Sequence, residues 1–375
     1  MTLRICHLSV LRGFSGLRNQ LRYELIGAQT LEGVTWDVRA FFHHADEAPH
    51  VDQIPRLFRV IILRNLFAWL WLVRYARRYD FVLVRHMPFD PFALLFAPLV
   101  RNRVTVHHSN EVESMPHVRP GWQGNAAALL EKLTGYVAIR TAKGLMAVTD
   151  ELRRYEMRRC RLDERFPSMV YPNGILPEQV PMVEDKRPAG GLVIGFMATQ
   201  FQDWHGLDLL LNAFIQSCHE SAPKEPITLH LMGDLLPGQL KQVDMLSALA
   251  GAPSLVLHGH VSAQACREVF AECHVGIGSL AIEREGLKEA ATLKVREMLA
   301  FGIPIYSGHT DVSIPSSFPF YRHGTVCIAE LLAFADEVRG VSRSAVREAA
   351  LPLIDKRVSM QKVVSFLNEL KLGRA

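Results

Sequence analysis

The 375-residue chain has no Asp-x-Asp among its fifteen aspartates, no Cys-x-x-Cys pair and no Gly-x-Gly-x-x-Gly opening either half. Each absence removes a class of protein. Without Asp-x-Asp there is no paired-carboxylate signature for a bridging metal, and no metal or other cofactor is expected. Without the dinucleotide fingerprint, a hydride-transferring dehydrogenase is disfavoured. Cys6, Cys160, Cys218, Cys266, Cys273 and Cys327 are scattered, with no histidine at zinc-finger spacing. They read as reduced, mostly buried thiols of a cytoplasmic protein rather than as a disulfide framework. No signal peptide is expected either, because Met1 leads straight into a strand-like run.

Long apolar runs are also missing. The most apolar segment, IPRLFRVIILRNLFAWLWLVRYARRYD at 54–80, keeps only nine uncharged residues, between Arg64 and Arg74, where a bilayer span needs about twenty. Its Phe67, Trp69 and Trp71, flanked by Arg74, Arg77 and Arg78, suit a helix lying in a lipid interface at the inner face of the cytoplasmic membrane. A buried crossover helix with a polar end is the other reading. Lysine is scarce in residues 1–180, which hold 24 Lys+Arg, 22 of them Arg, against 17 Asp+Glu. A basic excess suits a nucleic acid or a membrane surface, or follows from an arginine-rich genome. The arginines are dispersed and no helix-turn-helix or RNA-stacking motif occurs, so nucleic acid is not an expected partner.

What is present is a rhythm. Candidate strands at 3–10, 33–42, 81–86, 103–108, 144–149 and 168–172 alternate with helical patterns such as 17–31 and 124–142, and the rhythm resumes with strands at 191–198, 227–234, 254–260, 275–280 and 303–308. Strands alternating with helices predict parallel sheets covered on both faces. The fold class is therefore α/β, with two facing Rossmann-like domains at 1–175 and 191–350. A Pro-, Gly- and charge-rich linker at 176–190 separates them, and a helix closes the chain at 351–375. Open sheets of this kind bind ligands at the carboxyl ends of their strands.

The chemistry-bearing stretch is EREGLKEAATLKVREMLAFGIPI, 283–305. Leu293–Phe301 reads as a helix ended by Gly302 and Pro304, with Val295, Met298 and Leu299 facing the sheet. Lys294 and Glu297 share another face, and Glu289 stands in the preceding loop. A loop entering a helix at the carboxyl edge of a parallel sheet offers free N–H groups to a diphosphate. Glu297, a turn further in, could accept hydrogen bonds from two vicinal ribose hydroxyls. Glu289 could reach the hydroxyls of an attached sugar. A chance spacing, with Lys294 and Glu297 as a weak exposed ion pair, is the alternative; Arg296 reads as part of a solvated loop.

Glu289, Glu297, Ala300, Gly302 and Pro304 match the Glu-x7-Glu and Ala-x-Gly-x-Pro pattern of the group 1 family of retaining glycosyltransferases, and the chain resembles that family over most of its length. Tyr171-Pro172-Asn173-Gly174-Ile175 and GLVIGFMATQFQDWHGLDLLLNAF (191–214) are similar to two further family segments. The resemblance implies the GT-B architecture and retaining, metal-independent transfer from a nucleotide-sugar donor to a glycan or lipid-linked glycan in surface polysaccharide or lipopolysaccharide synthesis. It makes 1–175 the acceptor-side domain and 191–350 the nucleotide-sugar domain. It implies that Glu297 holds ribose, Glu289 the donor sugar and Lys294 phosphate, and that Gly13 and Gly16 form a loop over the diphosphate. VTVHHSNEVES (104–114) is similar to a family segment with a His at the acceptor side. Strand register assigns that place, and a catalytic role, to His108, with His107 pointing into the fold; a purely structural strand-end His is the other reading. Asn110 and Glu111 follow as acceptor-side candidates. The chain departs from the family where an Arg is expected, at Thr199 or Gln200, and where His205-Gly206 replaces Lys-Gly. The missing cation leaves open a non-catalytic scaffold subunit of an assembly complex, and the fold also hosts nucleotide-sugar epimerases and sugar phosphorylases.

Overall fold

The computed structural model describes residues 2–11, 16–44, 46, 48–119, 121–220 and 225–373. The chain divides into two compact units, residues 1–176 with 355–375, and residues 177–354. In the first unit the strands are β1 (Leu3–Val10), β2 (Val34–Phe42), β3 (Val51–Gln53), β4 (Phe81–Arg85), β5 (Arg103–His107), β6 (Gly144–Ala147) and β7 (Ser168–Val170). They form one sheet in the order β3-β2-β1-β4-β5-β6-β7, parallel at every pairing. Its helices are α1 (Gly16–Gly27), α2 (Ile61–Tyr75), α3 (Ala93–Phe96), α4 (Glu111–Val118), α5 (Trp122–Arg140) and α6 (Asp150–Arg159).

The central strands are apolar on both faces because both faces are covered. On one side Leu3, Ile5, Val104 and Met146 pack with Leu21 of α1 and with Met360, Val363 and Leu367 near the end of the chain. On the other, Cys6, Leu8, Val82 and Val84 pack with Ala68 and Leu72 of α2, Ala93 of α3 and Ala138 of α5. The helix at 61–75 is thus a crossover helix with a buried side. Trp69, expected at a lipid interface, belongs to that side, and its indole N–H donates to the buried Asp90 Oδ2 at 2.5 Å. Phe67 and Trp71 meet Phe41 edge-on, at 5.1 and 5.8 Å between ring centroids. No helix among the described residues is long and apolar enough to cross a membrane.

The second unit holds β8 (Leu192–Gln200), β9 (Ile227–Asp234), β10 (Ser254–Gly259), β11 (Val275–Ile277), β12 (Glu289–Ala290), β13 (Ile305–Ser307), β14 (Thr310–Asp311) and β15 (Tyr321–His323). Six of these make a sheet in the order β10-β9-β8-β11-β13-β15, while β12 and β14 pair separately. Around them run α7 (Leu207–Glu220), α8 (Pro237–Ser247), α9 (Ala263–Glu272), α10 (Leu293–Phe301), α11 (Ile328–Val338) and α12 (Arg343–Ile354). Residues 177–190 are tied to this unit through Val183 N–H to Phe301 O at 3.2 Å and Lys186 N–H to Ala271 O at 3.0 Å. The chain then returns, and α13 (Lys356–Lys371) joins the first unit, its start bridged to Ile175.

Candidate functional site

In the second unit the sequence places α10 where it was expected. Gly302 ends it in the left-handed region at φ 86°, which only glycine adopts without strain. Val295, Met298 and Leu299 are fully buried, which turns Lys294 and Glu297 away from the core. Lys294 Nζ donates to Met197 O, 3.2 Å away on β8, and lies 5.1 Å from the Trp204 ring centroid. Burial depresses its pKa to about 7, with Glu297 acting in the opposite sense. Burial raises the Glu297 carboxyl to about 7 as well, against the pull of Lys294.

His205 ends a short 3-10 turn, Asp203–His205, between β8 and α7. Its Nδ1 accepts the Gln202 N–H at 2.8 Å, which fixes the tautomer and leaves Nε2–H as a donor. Burial first, then the nearby Lys294 charge, hold its pKa down at about 2, so the ring is neutral. Gly206 follows at φ 71°, and a Cβ there would stand 2.8 Å from Leu280 Cβ. Leu280 N–H donates to His205 O at 2.9 Å, fastening the turn to the segment after β11. Three elements thereby converge: the end of β8, the His205 turn and the first turns of α10.

Glu289 lies in β12 rather than in a loop, paired with Thr310 of β14. The anchor of that pairing is Arg296, which is buried rather than solvated. Its guanidinium grips Asp311 with both nitrogens, Nη2 at 2.7 Å from Oδ1, and also donates to Thr292 O at 3.2 Å and Ser313 Oγ at 3.1 Å. Sequence reasoning missed this pair, because fifteen residues separate partners that only the fold brings together. It also missed His309, whose Nδ1–H donates to Ser279 O at 2.9 Å. His309 Nε2, Thr292 Oγ1 and Ser279 Oγ are buried without a protein partner. The signal available for them was the run of polar residues just past strand ends at 279 and 307–309.

In the first unit His108 follows β5 and lines a cleft of about 230 Å³ with Ser9, Arg85, His86, Ser109 and Glu111 among others. Burial and the positive charges of Arg85 and Lys356 push its pKa well below the ordinary value. It is therefore a neutral ring at pH 7, and the same burial and charges make it a weak base. His107 points into the fold, fully buried, with Nε2 3.0 Å from Thr105 Oγ1 and its ring stacked on His86 at 4.3 Å. Asn110 is buried, and its carboxamide oxygen caps α4 by accepting Glu113 N–H at 3.3 Å. That bond gives it a structural task in place of an open acceptor-side position. Glu111 accepts from Ser109 Oγ at 2.7 Å. Gly16 is the first residue of α1 and is exposed, with Leu17 beside it in the cleft; Gly13 lies outside the described residues.

The sequence matches no family model and no curated protein. The structure does have relatives. It is similar to a sucrose-phosphate synthase from Thermosynechococcus elongatus, with TM-score 0.66 and 14% identity over 99% of this chain and 100% of that one. It is similar to the apo form of the lipopolysaccharide outer core galactosyltransferase WaaB, with TM-score 0.63 and 12% identity over 100% of both chains. A UDP-forming α,α-trehalose-phosphate synthase from Burkholderia xenovorans gives TM-score 0.61 and 10% identity over 99% of this chain and 100% of that one. The chain has the GT-B glycosyltransferase fold, an α/β fold with two parallel sheets.

Proposed function

We propose that the chain is a retaining, metal-independent glycosyltransferase that moves a sugar from a nucleotide-sugar donor to a glycan or lipid-linked glycan acceptor in surface polysaccharide or lipopolysaccharide synthesis. The observation that carries this reading is the convergence of Lys294, Glu297 and His205 at the amino-terminal end of α10, beside the end of β8. A departing nucleoside diphosphate needs donors already aimed at its growing charge. Protonated Lys294, His205 Nε2–H and the first N–H groups of α10 are such donors. Glu297 accepts the ribose hydroxyls, Glu289 orients the sugar, and the cleft with His108 and Glu111 takes the acceptor. The departing phosphate helps to deprotonate the acceptor as the new bond forms on the same face of the sugar. The reaction takes place in the cytoplasm, and contact of residues 54–80 with the inner face of the membrane brings a lipid-linked acceptor within reach.

The test is a thermal-shift panel of UDP-, GDP-, ADP- and CMP-linked sugars, followed by nuclear magnetic resonance of the product anomer. One nucleotide class should shift melting in the wild type and not in Glu297→Ala, and the product should keep the donor's anomeric configuration. Failure of every nucleotide to bind would sink the assignment and favour a non-catalytic subunit. Binding without a new glycosidic linkage would favour an epimerase.

A further inference from the structure

We propose that the outer sides of α2, α3 and α5 together form one docking surface for an anionic lipid bilayer. This deepens the membrane contact proposed above and rests on it for location, but not on the sugar-transfer chemistry. The three helices cover the same face of the first sheet, since Ala68, Leu72, Ala93 and Ala138 share one core with Cys6, Leu8, Val82 and Val84. With those sides committed, the opposite sides carry Leu70 and Val73 on α2, Leu95 and Leu99 on and just after α3, and Trp122 and Leu133 on α5, all exposed. Leu95 keeps 70% and Trp122 77% of its surface in solvent. Single exposed leucines are ordinary, whereas large apolar side chains repeated on three neighbouring helices mark a contact surface.

Charge selects the occupant. Residues 54–79 contain six arginines and no Asp or Glu, and residues 91–107 contain Arg101 and Arg103 and no acid. The one acid within α5, Glu131, is buried and accepts from His86 Nε2–H at 2.8 Å. The surface therefore presents Arg74, Arg77, Arg78, Arg101 and Lys132 with no exposed carboxylate on these segments. A second copy of the same face would oppose like charge to like charge. An anionic headgroup layer would be matched by it, with apolar and aromatic side chains entering the acyl boundary. The opposite face of the same sheet supplies the contrast, for α13 exposes Gln361, Lys362, Asn368 and Glu369 to solvent and, of its large apolar side chains, Val358 alone, at 36%.

The full-length protein should sediment with vesicles of phosphatidylcholine mixed with phosphatidylglycerol, less with phosphatidylcholine alone, and less as salt rises. Leu95→Glu with Leu133→Glu should lower the partition constant at least tenfold, and Arg77→Glu with Arg78→Glu, at two exposed positions, about 25-fold or more, from roughly fivefold per basic residue. Both variants should keep the wild-type melting temperature and nucleotide-induced shift. Absence of partitioning onto the anionic vesicles, equal binding to neutral ones, or undiminished binding by both folded variants would overturn the proposal. So would a wild-type dimer in sedimentation velocity that Leu95→Glu dissolves, because the surface would then belong to a second copy. A protein that binds nucleotide but no vesicle removes this proposal alone; one that binds vesicles but no nucleotide removes the transferase reading alone.

Discussion

Lys294 and Glu297 both titrate near pH 7, because burial opposes the charged form of each more strongly than the neighbour supports it. The diphosphate needs the protonated lysine. A lowered lysine pKa means that the free protein loses that proton as pH rises through 7, so binding must restore it. Nucleoside diphosphate affinity should accordingly fall between pH 7 and 9, by up to tenfold per unit, with proton uptake seen as a buffer-dependent heat in calorimetry. A pH-independent affinity over that range would remove Lys294 from the phosphate site. Spacing put Lys294 and Glu297 on one helical face, a local property, and the family resemblance supplied their expected roles. Arg296 was misread for the opposite reason, its partner Asp311 being set by the β12–β14 pairing. Because both groups are buried, Asp311→Ala should cost about 3–5 kcal/mol by leaving Arg296 uncompensated. Urea denaturation of Asp311→Ala and of Arg296→Met with Asp311→Leu, in which the double variant recovers most of the loss, checks this.

At the scale of elements, the end of α10 was legible and four short, mostly polar strands were not. Gly302 was placed correctly as the stop of α10 because its left-handed conformation is a residue property, and the structure adds a second reason. A Cβ at that position would lie 2.5 Å from Arg343 O. Gly302→Ala should therefore destabilise by about 2 kcal/mol or more, the left-handed penalty plus the displacement of α12, read as a lowered thermal midpoint. Strands β3, β12, β14 and β15, of two or three residues each, lack the apolar runs that revealed the equally short β7, β11 and β13, and only neighbouring chain defines them. Asn110 illustrates the same limit. Its chemistry suited an acceptor, but its place immediately before α4, three residues before Glu113, makes it a cap, and Asn110→Ala should cost about 1 kcal/mol with little effect on donor binding in a thermal-shift assay.

At the scale of the molecule, the last helix closes the first unit rather than the second. Lys356 at its start lies 3.3 Å from Glu24 Oε1 on α1, and Tyr171 O–H donates to the same oxygen at 2.7 Å. His7 Nδ1 meets Glu24 Oε2 at 2.5 Å. Burial alone would raise the Glu24 pKa, but His7, Lys356 and the Tyr171 hydroxyl bring it down to about 2. A carboxyl whose folded pKa is depressed contributes stability that is complete above its ordinary range, near 4.5, and is lost as pH falls toward 2. Lys356→Met should cost about 3 kcal/mol at pH 7, and the gap to wild type should narrow between pH 5 and 2 as Glu24 protonates in both. A constant gap over that range would show that packing of α13, rather than the charge cluster, carries the effect.

The sequence by itself determined the alternation of strands and helices, the parallel α/β class, the limits of α10 and the pairing of Lys294 with Glu297 on one helical face. All of these follow from periodicity and from residues whose conformational preference is their own. Tertiary structure decided which charges are buried, that residues 177–190 travel with the second unit and α13 with the first, and that Trp69 faces the core while Leu95 and Trp122 face outward. Those outcomes depend on which surfaces meet across long stretches of chain. Burial, and the shifts in proton affinity that come with it, exist only once they have met.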